Sequence, residues 1–119
     1  MSRGIDRAAL VRDHLEAFNA RDLERLMCGL SETVVWNTGT DVVVGRPAVA
    51  AFLGDAMSGL LPTLQIRSLV GDRDLVACEL EERYRHRGLD QQAAIAAFFR
   101  FTGEEISEVK VYREGSADP

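Results

Sequence analysis

Residues 75–101 read LVACELEERYRH, then RGLD, then QQAAIAAFFRF, and this stretch decides the fold. Two long segments of alternating and β-prone residues, Leu75 to His86 and Gln91 to Phe101, fold back on each other around Arg87-Gly88-Leu89-Asp90. One face of the first carries Val76, Cys78, Leu80, Glu82, Tyr84 and His86, so apolar side chains give way to polar ones toward the turn. The matching face of the second carries Ala93, Ile95, Ala97, Phe99 and Phe101, with small residues at mid-strand. Large side chains there would close a space. The pair reads as one wall of a pocket.

Upstream the periodicity is helical. Ile5, Ala8, Val11, Leu15 and Phe18 recur at helix spacing through Asn19, and His14 lies on the same apolar face. Asn19-Ala20-Arg21-Asp22 breaks the pattern, Asp22 caps a new start, and Leu23, Leu26, Met27 and Leu30 make a second, shorter helix. Thr33-Val34-Val35-Trp36-Asn37 is a β-branched run that reaches a turn at Gly39, and Val42-Val43-Val44 is a short second strand. Gly45-Arg46-Pro47 opens a third helix, with Val49, Phe52, Leu53, Ala56 and Met57 as its buried stripe to Ser58-Gly59.

After Pro62 the period becomes two. Leu64, Ile66, Ser68 and Val70 form a strand face, Gly71 to Asp74 a turn, and the two long strands follow. A turn at Thr102-Gly103-Glu104-Glu105 then leads to a last strand from Ile106 to Tyr112. Helices first and strands after define an α+β fold. Its expected form is three N-terminal helices packed on a strongly curved, mainly antiparallel sheet that forms a cone-shaped cavity. The 119 residues make one domain, 1–119, with a loose tail at 116–119.

Composition narrows the function classes. A hydrophobic fraction of 46% with 28% charged residues is that of a folded globular chain. The net charge is −5 and the arginines are interspersed with acids, so nucleic acid is not an expected partner. No apolar run approaches the roughly 20 residues that span a bilayer, and residues 1–6 lack an apolar signal core, so no membrane association and a cytoplasmic location are expected. Cys28 and Cys78 lie in apolar surroundings without a Cys/His cluster; both read as reduced packing residues, and no metal site is expected.

Several residues are candidates for a site. His14 has a side chain whose ordinary pKa, near 6.5, suits an acid, a base or a hydrogen-bond donor, or it is simply a half-buried histidine. Trp36 and Asn37 alternate along one strand, so only one lines the cavity directly; Asn37 is the better polar contact, or else its amide ties down the turn before Gly39. Glu82, Tyr84 and His86 could form a polar rim; Glu82 and His86 lie about 13 Å apart along the strand, beyond hydrogen-bond reach. Phe52, Ala97, Phe99 and Val111 complete the expected ligand-binding wall. Asp41 in its loop and Arg113 after the last strand are further charged candidates.

Phe18-Asn19-Ala20-Arg21-Asp22-Leu23, Val34-Val35-Trp36, Gly45-Arg46-Pro47-Ala48-Val49, Phe99-Arg100-Phe101 and Ile106-Ser107-Glu108 before Tyr112 together resemble the nuclear transport factor 2-like superfamily, and within it the SnoaL-like group. The resemblance covers roughly residues 5 to 113. It implies a small cofactor-free enzyme of cyclase, isomerase or hydratase type, using acid–base chemistry on an apolar polyketide- or terpenoid-like molecule. It also implies a homodimer through the convex sheet face, where Ala94, Ala96, Phe98, Lys110 and Tyr112 mix with Glu79, Glu81, Arg83 and Arg85.

The group's catalytic carboxylates are missing. The isomerase base falls at or beside Asn37, the oxyanion-hole acid and the cyclase histidine on Ala97, and the shared aspartate of cyclases and epoxide hydrolases in Lys110-Val111-Tyr112. The epoxide hydrolases' Arg and Asp fall near Cys78 and Leu80. His14 matches the isomerases' oxyanion-hole tyrosine, and Asn37 the epoxide hydrolases' water-positioning asparagine. His14 and Asn37 are therefore the catalytic candidates, and a non-catalytic dimeric domain that binds an apolar small molecule is the alternative.

Overall fold

A computed structural model of the chain describes residues 6–58 and 63–114. Ile5, Gly59, Pro62, the Met57 side chain and the expected tail at 116–119 lie outside the described residues. The elements are α1 (Arg7–Asn19), α2 (Leu23–Cys28), β1 (Leu30–Asn37), β2 (Val42–Val44), α3 (Arg46–Ser58), β3 (Thr63–Asp72), β4 (Leu75–His86), β5 (Leu89–Thr102) and β6 (Glu105–Arg113). The α+β class and three helices on one sheet are as the sequence implies. The sheet has six strands in the order β2-β1-β6-β5-β4-β3, antiparallel except where β1 runs parallel to β6.

Capping fixes the helix starts. Asp6 accepts from the Ala9 N–H at 3.0 Å, and Asp22 accepts from the Arg25 N–H at 3.1 Å, as its position before Leu23 predicts. Asn19 ends α1 and clamps β3: its amide donates to the Leu64 carbonyl and accepts from the Leu64 N–H, both at 2.8 Å. This double bond holds the first helix over the sheet. The β4–β5 connection is tighter than expected. Only Arg87 and Gly88 lie outside the strands, both with positive φ (54° and 78°), as a two-residue hairpin turn requires.

Three readings change. Leu30 opens β1 rather than closing α2; it is fully buried and pairs with Ile106, so the tertiary contact overrides the helical spacing. Cys28, at the end of α2, is exposed, whereas Cys78 is buried as expected. In β3 a register shift between Ile66 and Ser68 breaks the alternation. Leu64 and Ile66 pack inward, then Leu69 takes over, while Ser68 bonds to Glu79 and Val70 is 67% exposed.

The core lies between the helices and one sheet face. Val11, Leu15 and Phe18 of α1, Leu26 of α2 and Val49 and Leu53 of α3 meet Trp36, Val76, Phe99 and Val109. Across β4, β5, β6 and β1 the register aligns Val76, Phe99, Val109 and Trp36 in one row. Burial of that row fixes which face is inside.

Candidate functional site

A pocket of about 700 Å³ opens between α1, α3 and the inner sheet face. Its apolar lining includes Leu15, Phe18, Trp36, Phe52, Leu53, Phe99, Val109 and Val111. Ala97 sits in the middle of the wall, and its single methyl leaves the space that a larger residue would fill. The polar lining consists of His14, the loop Thr38 to Asp41, Glu82 and Arg113, joined by Lys110 and Tyr112, which alternate with the inward Val109 and Val111 of β6.

His14 is 6% exposed and is the buried polar residue of the core. Its ring packs 5.9 Å from Trp36 and edge-on to Phe99 at 5.6 Å, centroid to centroid. No group among the described residues hydrogen-bonds its Nδ1, a buried atom. Burial pushes the His14 pKa down to about 4, and the neighbouring Asp13 charge opposes this only partly. The imidazole is thus neutral at pH 7, offering one N–H donor and one lone pair.

Glu82 and Arg113 form the second polar feature. Arg113 Nη2 lies 2.9 Å from Glu82 Oε1, with side chains 29% and 16% exposed, and the guanidinium rests 5.2 Å from the centre of the Tyr84 ring. Although this contact is short, its alignment is not that of a hydrogen bond, and Oε1 is buried without a hydrogen-bond partner among the described residues. Desolvation raises the Glu82 pKa, and the charge of Arg113 draws it back.

Of the sequence candidates, His14, Trp36, Phe52, Glu82, Ala97, Phe99 and Val111 line this pocket. Asn37 does not. Trp36 takes the inner position beside the fully buried Val109, so alternation turns Asn37 to the outer face, beside Lys110. There its Oδ1 accepts from the Gly39 N–H at 2.8 Å and from the Lys110 ammonium at 3.2 Å. Of the two sequence readings of Asn37, the turn amide is the one the geometry shows, and the cavity contact is not. Tyr84 lies beyond the pocket, supporting Arg113 from outside.

Arg113 and Asp41 reach the pocket wall, and His86 does not. Asp41 is placed by a turn in which its N–H donates to Thr38 Oγ1 at 3.0 Å. Leu15, Phe18, Leu53 and Val109 were legible only as core positions; nothing in their spacing separates a pocket wall from a packed interior. Among the described residues, no group of three or more His, Cys, Asp or Glu side chains could hold a metal ion. Nor is any described helix long and apolar enough to cross a membrane.

Comparison with known proteins agrees with this architecture. The model of the SnoaL-like domain matches residues 11–109. The chain belongs to the SnoaL-like domain family. Solved structures share the fold at low identity. An epoxide hydrolase of the LEH-like type from M. tuberculosis is 20% identical, with a TM-score of 0.79 over 91% of this chain and 82% of that one.

A protein of ketosteroid isomerase-like fold from Catenulispora acidiphila DSM 44928, in complex with trimethylamine, is 16% identical. Its TM-score is 0.79 over 87% of this chain and 83% of that one. An NTF2-like protein of unknown function from Cytophaga hutchinsonii ATCC 33406 is 15% identical, with a TM-score of 0.79 over 96% and 95% of the two chains. No curated protein matches the chain in sequence. These likenesses establish the SnoaL-like fold. They leave the reaction to the residues of the pocket.

Proposed function

We propose that this SnoaL-like domain binds an apolar, polyketide- or terpenoid-like small molecule in the pocket and acts on it by acid–base chemistry without a cofactor. The observation that carries the reading is the buried, unpartnered Nδ1 of His14 in a pocket walled by aromatic and aliphatic side chains. A neutral imidazole held there is oriented before the substrate arrives. It hydrogen-bonds an oxygen on which charge develops, in a site of low dielectric where such a bond is worth more than in water. Glu82, whose pKa is raised by burial against the opposing charge of Arg113, is a carboxylate of the pocket wall able to serve as the proton partner.

His14→Ala tests this. The expected result is loss of turnover on a panel of aromatic polyketides and terpenoid epoxides, with an unchanged circular dichroism spectrum and retained ligand binding. Turnover equal to that of the parent protein removes His14 from the mechanism.

A second reading, a non-catalytic small-molecule-binding domain, is favoured by one observation: the Asn37 amide is engaged by Gly39 and Lys110 instead of positioning water in the pocket. Binding without turnover across the same panel selects it.

Either reading takes the domain as a homodimer through the outer sheet face. Phe98 and Tyr112 stand exposed there, edge to face at 5.8 Å, ringed by ion pairs such as Arg67–Glu81. We place the domain in the cytoplasm, where unpaired thiols such as Cys28 and Cys78 persist.

A further inference from the structure

We infer that Glu82 and Arg113 form a specificity subsite that reads a hydroxyl group at the end of an elongated, otherwise apolar ligand. The inference deepens the proposed function and rests on its reading of the pocket as a small-molecule site. It starts from geometry. Glu82 lines the pocket, and its buried Oε1 accepts no aligned hydrogen bond among the described residues, although Arg113 Nη2 stands 2.9 Å away as its ion-pair partner.

A buried carboxylate oxygen held by an ion pair without an aligned donor keeps a free lone pair, and a ligand donor can fill it. The same ligand atom meets a guanidinium, which only donates. A hydroxyl satisfies both partners, donating to Glu82 and accepting from Arg113. A ketone or ether accepts only and gives Oε1 no donor. A carboxylate is repelled by Glu82, and an ammonium by Arg113. The raised Glu82 pKa fits this choice, because a donated hydrogen bond favours the charged carboxylate that burial disfavours.

The ladder sets the ligand's shape. His14 packs on Phe99, which pairs with Val76, whereas Glu82 lies six residues further along β4. At about 3.3 Å per residue that is roughly 20 Å of strand, shortened by the reach of the side chains. An elongated ligand suits that spacing better than a single-ring molecule. The Tyr84 ring behind Arg113 holds the guanidinium in place, so the subsite is formed before binding.

Matched probes test the subsite: farnesol against β-farnesene, and 4-phenylphenol against biphenyl. Binding is read by calorimetry and by the fluorescence of Trp36, the chain's one tryptophan, which lines the pocket. The expected result is that each alcohol binds about 10-fold more tightly than its hydrocarbon, the scale of one or two hydrogen bonds to charged groups.

The preference should fall to within about 2-fold in the double variant Glu82→Met/Arg113→Met, which removes the ion pair as a unit and is the kind of replacement that folds well. Glu82→Gln, of the same shape, is the second variant, and should lose part of the preference. Equal binding of alcohol and hydrocarbon to the parent protein overturns the subsite and leaves the pocket reading standing. So does a preference that survives both variants. Binding of neither member of either pair overturns the pocket reading, and the subsite with it.

Discussion

The two halves of the β4–β5 hairpin share one hydrogen-bonded ladder and differ in what lies over it. Near its base the pairs Val76–Phe99, Cys78–Ala97 and Leu80–Ile95 are buried under the helices, with β6 alongside from Ile95 onward. Toward its tip the pairs Arg83–Gln92, Arg85–Asp90 and His86–Leu89 lie past the last β6 pairing, and Leu89 is 65% exposed. The backbone is the same, but the base is held by packing and the tip by its turn. Glu82, between the two, is where buried wall becomes rim. That boundary is where a carboxylate can be desolvated and still meet an arginine.

Substitutions can break or sharpen this contrast. The largest effect is expected at the base: Phe99→Ala should cost about 3–5 kcal/mol in urea unfolding, through lost burial and the cavity left beside His14. A loss below about 1 kcal/mol would mean that the helices do not grip this half.

Next is acidity. Because the His14 pKa is lowered in the folded state, the unfolded chain takes up the proton first. His14 therefore contributes no penalty above about pH 6.5, and stability falls as pH drops toward about 4, by up to about 3 kcal/mol. Glu82 works with the opposite sign: its folded pKa is raised, so protonation on acidification relieves a cost of burial. Urea midpoints measured from pH 7 to 4 should show a steeper loss in the parent protein than in His14→Phe. Identical slopes would show that His14 is not buried neutral.

At the tip the effects are smaller. Gly88→Ala should cost about 1–2 kcal/mol, all of it backbone strain at φ +78°, since no atom lies within 4 Å of the added methyl. Leu89→Ser should change stability by less than about 0.5 kcal/mol. A larger loss at Leu89 would show that something covers the tip in solution, and sedimentation of the variant would say whether it is a second copy.

Much of the fold was legible because local chemistry dictates it. Asp22 caps α2, Pro47 opens α3, and the alternation of 75–101 makes a hairpin whatever surrounds it. The pocket wall was partly legible: Ala97 and Phe99 face inward because every second residue of a strand must. The exceptions are places where a distant contact decides. The register shift after Ile66 exposes Val70 and turns Leu69 inward, and periodicity cannot foresee one residue that breaks the period. The Trp36–Asn37 alternation was plain, but its phase was not. Val109, arriving from β6, claims the inner position opposite Trp36 and leaves Asn37 outside.

The sequence by itself determined the order of helices and strands, the two-residue alternation of the long hairpin, the apolar stripe that carries His14, and the SnoaL-like likeness. The first three rest on neighbours within a few residues, and the likeness on short motifs spread along the chain. Only the tertiary structure decided that His14 is sealed among aromatic rings, that Asn37 serves a turn, and that Glu82 meets Arg113. The physical reason is range. Burial, phase and charge pairing depend on atoms that the sheet brings together from distant parts of the chain, and the Glu82–Arg113 pair exists only because β4, β5 and β6 lie side by side.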